Sequence, residues 1–401
     1  MNDQTRQFLT SRFREYYAER RVSVPPRLVS REWGFIFFDE TPGVAMRRHK
    51  AFNSESELND YLASIPPAHA YHSAAYYQYP QAPTMLEKKW QGADLIFDLD
   101  ADHLPGVEKM SYAEMLDNVK REIIRLIDDF LLDDLGFSER DLQIVFSGGR
   151  GYHVHVRDER VKALKSPERR EIVDYLLGTG LDIDHVFERS NDIVEGQKGK
   201  RTTGVWRIRG FGSGSGYGWN RRAASYIADQ LGLIGSMQEK EAKEWLKKYG
   251  LEANRDRRRK LADPETADKV RNQGLIEISG DLHGFFRSML EGTIEKFHVD
   301  VAGKTDEPVT ADIKRLIRLP GSIHGKSSFR VTPLTRPQLE TFNPLEDAII
   351  FGDSPVRVLV TKPKETVQVR GKVYTVTEGV GRLPECVAVH LMCRGSAEYA
   401  P

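Results

Sequence analysis

The sequence predicts a mixed α/β protein with a helical insertion, and three observations support this. An apolar run at residues 93–99 ends in closely spaced carboxylates, as expected for a buried strand whose last residues reach a sheet edge. Apolar residues at helical spacing predict a long amphipathic helix over 112–135, and residues 142–156 contain an apolar run, a glycine turn and a second run. Residues 160–265 are highly charged, and their helical segments predict the insertion.

The composition is that of a globular protein and excludes several classes. The 401 residues suggest two or three domains, or one large domain with an insertion. The formal net charge is zero, so a nucleic-acid-binding surface would have to be local. Cys386 and Cys393 are the only cysteines, which excludes a disulfide framework and suits a reducing compartment. Without an apolar run of about 20 residues or a signal-peptide pattern, we expect a cytoplasmic protein with no membrane partner.

The residues before the acidic run predict a helix, a hairpin and a second helix. Residues 5–21 have helical spacing, and residues 33–38 and 44–50 flank the turn 39–43 as the two strands of a predicted hairpin. The second run ends in a basic cluster, 47–50, which is typical of a charged sheet edge. Asn53 is positioned to cap the following helix, which two prolines stop after residue 65.

The acidic run itself has two interpretations. Successive strand side chains alternate between faces, so Asp98 and Asp100 would share a face with Cα atoms roughly 6.5–7 Å apart. Carboxylates this close repel each other unless a positive charge lies between them, and one or two divalent cations would supply it. The alternative is a solvated strand end with turn-forming aspartates. Nearby Asp94, Asp102 and His103 are neighbours and not the expected ligands.

The glycine turn at residues 147–153 also has two interpretations. Its glycines would let the backbone approach a ligand, and consecutive amides in such a turn can bind an anion. Ser147, Arg150 and His153 add a hydroxyl, a fixed cation and a titratable group, all suited to phosphate oxygens. The alternative is an ordinary hairpin turn with an incidental arginine.

The second half of the chain carries weaker signals. A Gly/Ser-rich loop at 210–218 lacks the context of a nucleotide-binding motif, and the basic run at 255–260 is typical of a solvated helix face. Thr310 is a plausible cap for a short helix ended by Pro320, which would bring an acid, Arg318, Ser322 and His324 towards one pocket. Short strands at 356–360, 366–370 and 372–376 and a helix at 384–394 complete the prediction.

Four stretches together resemble the catalytic small subunit of the archaeal and eukaryotic-type DNA primase. They are residues 46–52 with Arg48, 97–100, the 147–153 turn, and Asp306 with residues 315–324. Their order and spacing match over about residues 30–335. The resemblance implies a primase-polymerase fold, with a catalytic core at 1–159 and 266–350, an insertion at 160–265 and C-terminal strands and helix at 351–401.

The resemblance also implies the site and the reaction. Asp98, Asp100 and Asp306 would hold Mg²⁺ or Mn²⁺ for two-metal nucleotidyl transfer. Nucleotide contacts would come from the following residues: Ser147, Arg150, His153, Arg318, His324 and, near the same site, Arg48. The expected product is a short RNA primer on a single-stranded DNA template, made from NTPs, with dNTP extension as a further expectation. The expected partner is a large subunit that carries an iron-sulfur cluster, which this chain has too few cysteines to hold.

Two departures from the family pattern bear on these expectations. Members commonly carry a zinc site after the acidic strand, but residues 101–146 contain no cysteine, so we expect no structural zinc there. Cys386, His390 and Cys393 are expected to pack in the core. Asp300 lies six residues before Asp306 in a similar acidic context and remains a rival third ligand.

Two other functions fit parts of the sequence. A haloacid-dehalogenase-type phosphatase also places a nucleophilic Asp in an Asp-x-Asp pattern, but Ala101 replaces the Thr or Val expected there. It would release phosphate from phosphoesters without a template. A non-catalytic nucleic-acid-binding subunit would bind independently of metal and NTP, and the intact acids argue against it.

Overall fold

The computed structural model describes residues 1–401 apart from 39–45, 104–105, 191–204, 212–215, 253, 278–281 and 300–308. The helices are α1 Asp3–Glu19, α2 Glu55–Ser64, α3 Tyr112–Arg125, α4 Glu159–Lys162, α5 Ser166–Leu177, α6 Ile183–Val186, α7 Gly218–Ser236, α8 Glu239–Lys248, α9 Arg255–Leu261, α10 Pro264–Gln273, α11 His283–Phe297, α12 Arg336–Thr341, α13 Pro344–Asp347 and α14 Glu385–Cys393. The strands are β1 Trp33–Ile36, β2 Arg47–Lys50, β3 His69–Ser73, β4 Ala75–Tyr77, β5 Trp90–Ala93, β6 Leu95–Asp100, β7 Leu142–Phe146, β8 Gly151–Val156, β9 Phe187–Ser190, β10 Val205–Ile208, β11 Leu275–Ile276, β12 Leu316–Arg318, β13 Thr332–Leu334, β14 Pro355–Val369, β15 Lys372–Pro384 and β16 Ala397–Tyr399.

The chain divides into two compact units. The first comprises residues 1–127, 137–173 and 301–401, and the second comprises 128–136 and 174–300. The insertion expected at 160–265 overlaps the second unit, which extends further along the chain to residue 300. The mixture of helices and sheets confirms the α/β class at this coarse level.

The first unit contains two four-stranded antiparallel sheets. One has the order β12-β3-β1-β2 and the other β13-β7-β8-β6. Strands β4 and β5 form a separate pair, and β14 lies between β15 and β16. The predicted strand, turn and strand at 142–156 are β7, the 147–150 turn and β8. These sheets carry the acidic strand β6 and the segments from which the site is built.

Local sequence signals account for several of these elements. Residues 95–97 of β6 are buried and apolar, which suits a strand packed against the core. Helix α3 begins with a capping box in which Ser111 and Glu114 satisfy each other's backbone N–H groups. It continues as a π-helical segment, Leu126–Asp134, so the predicted helix at 112–135 is present as two helical forms.

The helix predicted from Thr310 to Pro320 is wrong. Only Val309–Ala311 forms a helical turn, and Leu316–Arg318 form β12, which pairs antiparallel with β3. Leu316 lies opposite Ser73 and Arg318 lies opposite Tyr71. The central residue Ile317 is β-branched and buried, which favours a sheet once a partner strand is available.

Smaller differences concern caps and strand continuity. Ser54, and not Asn53, caps α2, because its side chain accepts the backbone N–H of Glu57. The separate strands predicted at 356–360 and 366–370 are parts of β14, which has an irregularity between Val360 and Lys364. The predicted β1–β2 hairpin is present, whereas its turn falls outside the described residues.

The second unit is mostly helical and has its own apolar core. Helix α7 packs against α10 and α11, and a small sheet has the order β11-β10-β9. The basic run at 255–260 lies on α9, which Asn254 caps. Residues 212–215 of the Gly/Ser-rich loop lie outside the described residues. Within the described ranges, none of the helices combines the length and apolar character needed to cross a bilayer.

Candidate active site

Asp98 and Asp100 lie on one face of β6, as the strand periodicity predicts. Strand β6 pairs antiparallel with β8, so that Asp98 faces His153 and Asp100 faces Gly151 across the ladder. The side chains of Asp98 and Asp100 are 19% and 39% exposed, whereas those of their neighbours Phe97 and Leu99 are buried. The core therefore holds the strand from one face while both carboxylates reach a cavity on the other.

The two carboxylates have different electrostatic environments. His153 Nε2 lies 3.3 Å from Asp98 Oδ1 and Arg315 Nη2 lies 3.6 Å from Asp98 Oδ2. Burial alone would raise the pKa of Asp98, but His153 and the neighbouring arginines outweigh it and lower that pKa. Burial raises the pKa of Asp100, although its carboxylate accepts the backbone N–H of Asp102 at 3.2 Å and lies 3.9 Å from Arg150 Nε.

Ser147 organises the glycine turn between β7 and β8. Its Oγ accepts the backbone N–H groups of Gly149 at 3.2 Å and Gly151 at 3.3 Å. These two amides are therefore engaged and do not form the free anion-binding nest that the sequence suggested. The Ser147 hydroxyl keeps its hydrogen as a donor. Arg150 extends from the turn, 47% exposed, and pairs with Asp102.

Residues of β3 and β12 position two further polar side chains. Nη1 of Arg318 donates to His69 Nδ1 at 2.8 Å, and its guanidinium lies over the Tyr71 ring. The same His69 nitrogen accepts the backbone N–H of Gly325 at 3.3 Å. Burial lowers the pKa of His69 to about 3, with Arg318 adding to the effect, so the ring is a neutral acceptor. His69 thus fixes both Arg318 and the loop that carries His324.

His324 completes this side of the cavity. Its Nδ1 accepts the backbone N–H of Ser327 at 3.2 Å, which leaves the proton of the neutral ring on Nε2. Burial keeps the pKa of His324 well below its ordinary value. Gly148 has a φ of +76°, and a Cβ there would lie 2.6 Å from the His324 Cβ, so only glycine allows this close approach.

One open cavity of about 960 Å³ in the first unit brings most of the predicted residues together. Seven of the nine line it, as follows: Asp98, Asp100, Ser147, Arg150, His153, Arg318 and His324. The predicted third acid, Asp306, and its rival Asp300 both lie outside the described residues. Sequence reasoning missed other lining residues, among them Tyr71, Tyr112, Arg315, Lys326 and Arg394.

Arg48 is the predicted residue that the described structure does not bring into this cavity. Its Nε lies 3.0 Å from Oε1 and its Nη2 3.3 Å from Oε2 of Glu32, which is fully buried. Lys88 lies 3.5 Å from the same carboxylate. This bidentate pair holds Arg48 on β2.

Neighbouring residues of the acidic strand have structural partners. Asp94 is fully buried, pairs with Arg31 at 2.8 Å and accepts the Tyr76 hydroxyl. At the other end of the chain, Cys386 and His390 are buried on α14, and His390 stacks on Phe329. The burial of Cys386 and His390 agrees with the expectation from the sequence, whereas Cys393 is only partly buried and lines the cavity.

Asp98 and Asp100 fit a divalent cation in donor chemistry. Carboxylate oxygens are the ligands that Mg²⁺ and Mn²⁺ prefer, and both groups face the same cavity from one strand. Among the described residues, no group of three or more His, Cys, Asp or Glu side chains is arranged to hold a metal ion.

The family model for the DNA primase small subunit matches residues 97–336, which include the acidic strand, the glycine turn and the segment that contributes Arg318 and His324. The chain belongs to the DNA primase small-subunit family.

Curated relatives match over the full length of the chain. The DNA primase small subunit PriS of Methanocella arvoryzae is 69% identical over 404 residues, covering all of both chains. PriS of Methanococcoides burtonii is 45% identical, also over all of both chains. PriS of Methanothrix thermoacetophila is 44% identical over 99% of this chain and all of the relative. The resemblance stated from the motifs is thus confirmed at the level of the family.

Proposed function

We propose that this chain is the catalytic subunit of a DNA primase with a primase-polymerase fold, which makes short RNA primers on single-stranded DNA from NTPs. The observation that carries the proposal is that two strand-borne carboxylates and five predicted nucleotide-binding residues line one cavity: Asp98 and Asp100, with Ser147, Arg150, His153, Arg318 and His324. Nucleotidyl transfer requires carboxylates that bind cations and, beside them, hydrogen-bond donors that bind phosphate.

The acidic and the basic residues of the cavity would have different roles. Asp98, Asp100 and Asp306 would hold Mg²⁺ or Mn²⁺, which when bound supplies positive charge to the attacking and leaving oxygens of the transferred phosphate. His153 and Arg315 hold Asp98 in position, at 3.3 and 3.6 Å. Neither cation binding by the carboxylates nor the positioning of Asp98 needs zinc, and we propose no structural zinc after the acidic strand.

The phosphate-binding groups are held before substrate arrives. Arg318 is fixed by His69 and Tyr71, and the Ser147 hydroxyl keeps a hydrogen to donate. Such preorganised donors lose little conformational entropy when the triphosphate binds and oppose its negative charge during pyrophosphate release. Extension with dNTPs is part of the proposal, as is a heterodimer with a large subunit bearing an iron-sulfur cluster.

Primer synthesis on single-stranded DNA tests this function directly. We expect Asp98→Asn and Asp100→Asn each to lower synthesis by at least about 10³-fold, because each removes a charge from the cation site. The assay compares Mg²⁺ with Mn²⁺ and NTPs with dNTPs. Asp306→Asn and Asp300→Asn, run in parallel, identify the third ligand by which of them loses activity.

The matched control is Asp60→Asn on the exposed face of α2, which should synthesise primers at the wild-type rate. Near-normal synthesis by either the Asp98 or the Asp100 variant would refute the proposal. DNA binding by the wild type that ignores both metal and NTP, with no synthesis, would favour a non-catalytic subunit.

A further inference from the structure

The positively charged side chains that line the cavity differ in whether they have a partner. Five Lys or Arg side chains and two Asp side chains line it. Arg315 lies beside Asp98, Arg150 pairs with Asp102, and Arg318 is bound to His69. By contrast, Lys326 and Arg394 form no ion pair with any carboxylate of the described residues, and both are exposed.

Arg394 is held beside the glycine turn by a continuous set of contacts. It directly follows α14, and its backbone N–H donates to the carbonyl of His390 at 3.1 Å. The His390 ring donates from Nδ1 to the carbonyl of Ser327 at 2.6 Å. The Ser327 hydroxyl in turn donates to the carbonyl of Gly148. The end of α14 is therefore anchored to the turn that carries Arg150.

Tyr112 contacts the turn that carries Arg150, and it lines the cavity together with Arg150 and Arg394. Its hydroxyl donates to the carbonyl of Gly149 at 2.6 Å. Burial raises the pKa of Tyr112 above its ordinary value, and the nearby positive charges of Arg394 and Arg150 both oppose that rise. Arg150 is partly neutralised by Asp102, whereas Arg394 adds to the same cavity a guanidinium that has no acidic partner among the described residues.

We propose that Arg394 binds a non-reacting phosphate of the incoming nucleotide, as a ligand supplied by the C-terminal helix to the cavity. A planar guanidinium pairs with two phosphate oxygens at once, which gives both attraction and orientation. The reacting phosphate belongs beside Asp98 and Asp100, so a cation that is not committed to those carboxylates serves the rest of the polyphosphate. This inference rests on the proposed function, because it assumes that the cavity takes a nucleoside triphosphate.

Equilibrium binding of ATP in the presence of Mg²⁺ tests the inference with Arg394→Gln, Arg394→Lys and wild type. We expect Arg394→Gln to weaken ATP binding by about tenfold or more, the usual loss for a hydrogen bond to a charged group. Arg394→Lys keeps the positive charge but not the planar guanidinium, so its affinity for ATP should lie between those of the wild type and Arg394→Gln. The matched control, Arg382→Gln on the exposed β15, should bind ATP like the wild type.

Single-stranded DNA distinguishes the other source of phosphate. If Arg394 contacted the template backbone, Arg394→Gln would reduce the slope of log K against log salt for DNA binding by about 0.7 and leave ATP affinity unchanged. That result, or unchanged binding of both ligands, would overturn the inference. Primer synthesis by the wild type, measured in the same preparation, separates this failure from a failure of the proposed function. Unfolding midpoints of all variants establish that they are folded.

Discussion

Burial keeps five histidine side chains of the first unit uncharged: His69, His72, His155, His324 and His390. A neutral imidazole offers one donor and one acceptor, and the contacts use them in opposite ways. Nδ1 of His69 accepts from Arg318, whereas Nδ1 of His390 donates to the carbonyl of Ser327. These five rings therefore add no charge to the first unit, and the charged side chains that line the cavity include arginine, lysine and aspartate.

Acid should destabilise the first unit through these histidines. Burial lowers the pKa of His390 to about 4, against about 6.5 in an unfolded chain. The unfolded state therefore binds a proton first as the pH falls. The stabilisation is complete above about pH 6.5 and is lost progressively towards pH 4, at about 1.4 kcal/mol per pH unit for one histidine.

His390→Gln tests this contribution. The amide can still donate to Ser327 but does not titrate, so the free energy of unfolding should depend less steeply on pH between 6 and 5, by about 1.4 kcal/mol per unit. Urea unfolding at several pH values measures the slope. An unaltered slope in His390→Gln would mean that this ring is not kept neutral by folding.

At the scale of elements, the pairing of β6 with β8 requires a residue without a side chain. Gly151 lies opposite Asp100, and a Cβ at that position would overlap the backbone carbonyl oxygen of Leu99. A shift of β6 away from β8 would displace the carboxylates of Asp98 and Asp100, which β6 carries. The glycine is thus required by the close approach of two backbones.

Gly151→Ala should lower the free energy of unfolding by at least about 2 kcal/mol, because the added methyl group forces the two backbones apart. Thermal or urea unfolding provides the measurement. Gly381→Ala is the control, since a Cβ there meets no atom within 4 Å and β15 is exposed. Equal stability of the two variants would contradict the predicted overlap.

The sequence predicted elements best where the signal was local. The acidic strand and the turn at 147–153 are encoded by adjacent residues, and both appear as predicted. The segment 310–320 has apolar spacing that suits a helix, but β12 forms because β3, far away in the chain, offers a pairing edge. No short window contains that information, since strand pairing depends on the tertiary structure.

At the scale of the whole molecule, the site residues also differ in whether local sequence or contacts between distant segments determine their positions. The motifs predicted seven lining residues, because each of these residues belongs to a short sequence motif. They could not predict His69, Arg315 or Arg394, whose positions depend on contacts between distant segments. Nor could the motifs show that Glu32 binds Arg48, since the sequence around a basic residue does not indicate which acidic residue pairs with it.

The metal content of the full chain is a further prediction at this scale. Because residues 101–146 contain no cysteine, a tetrahedral thiolate site cannot form there, and we expect the purified protein to hold no stoichiometric zinc. Elemental analysis after extensive dialysis measures it, with a known zinc protein as the positive control. One tightly held zinc per chain would contradict the prediction.

The two ends of the described chain meet in the first unit, and this sets an order for its folding during synthesis. The backbone N–H of Tyr399 donates to Thr5 Oγ1, and its ring stacks on Phe8 of α1, while β16 pairs with β14. The contacts of α1 with Tyr399 therefore form only after residues 397–399 have left the ribosome. All residues of the second unit have been translated by residue 300, so its core can close first. The cavity, with Arg394, is among the last parts of the protein to form.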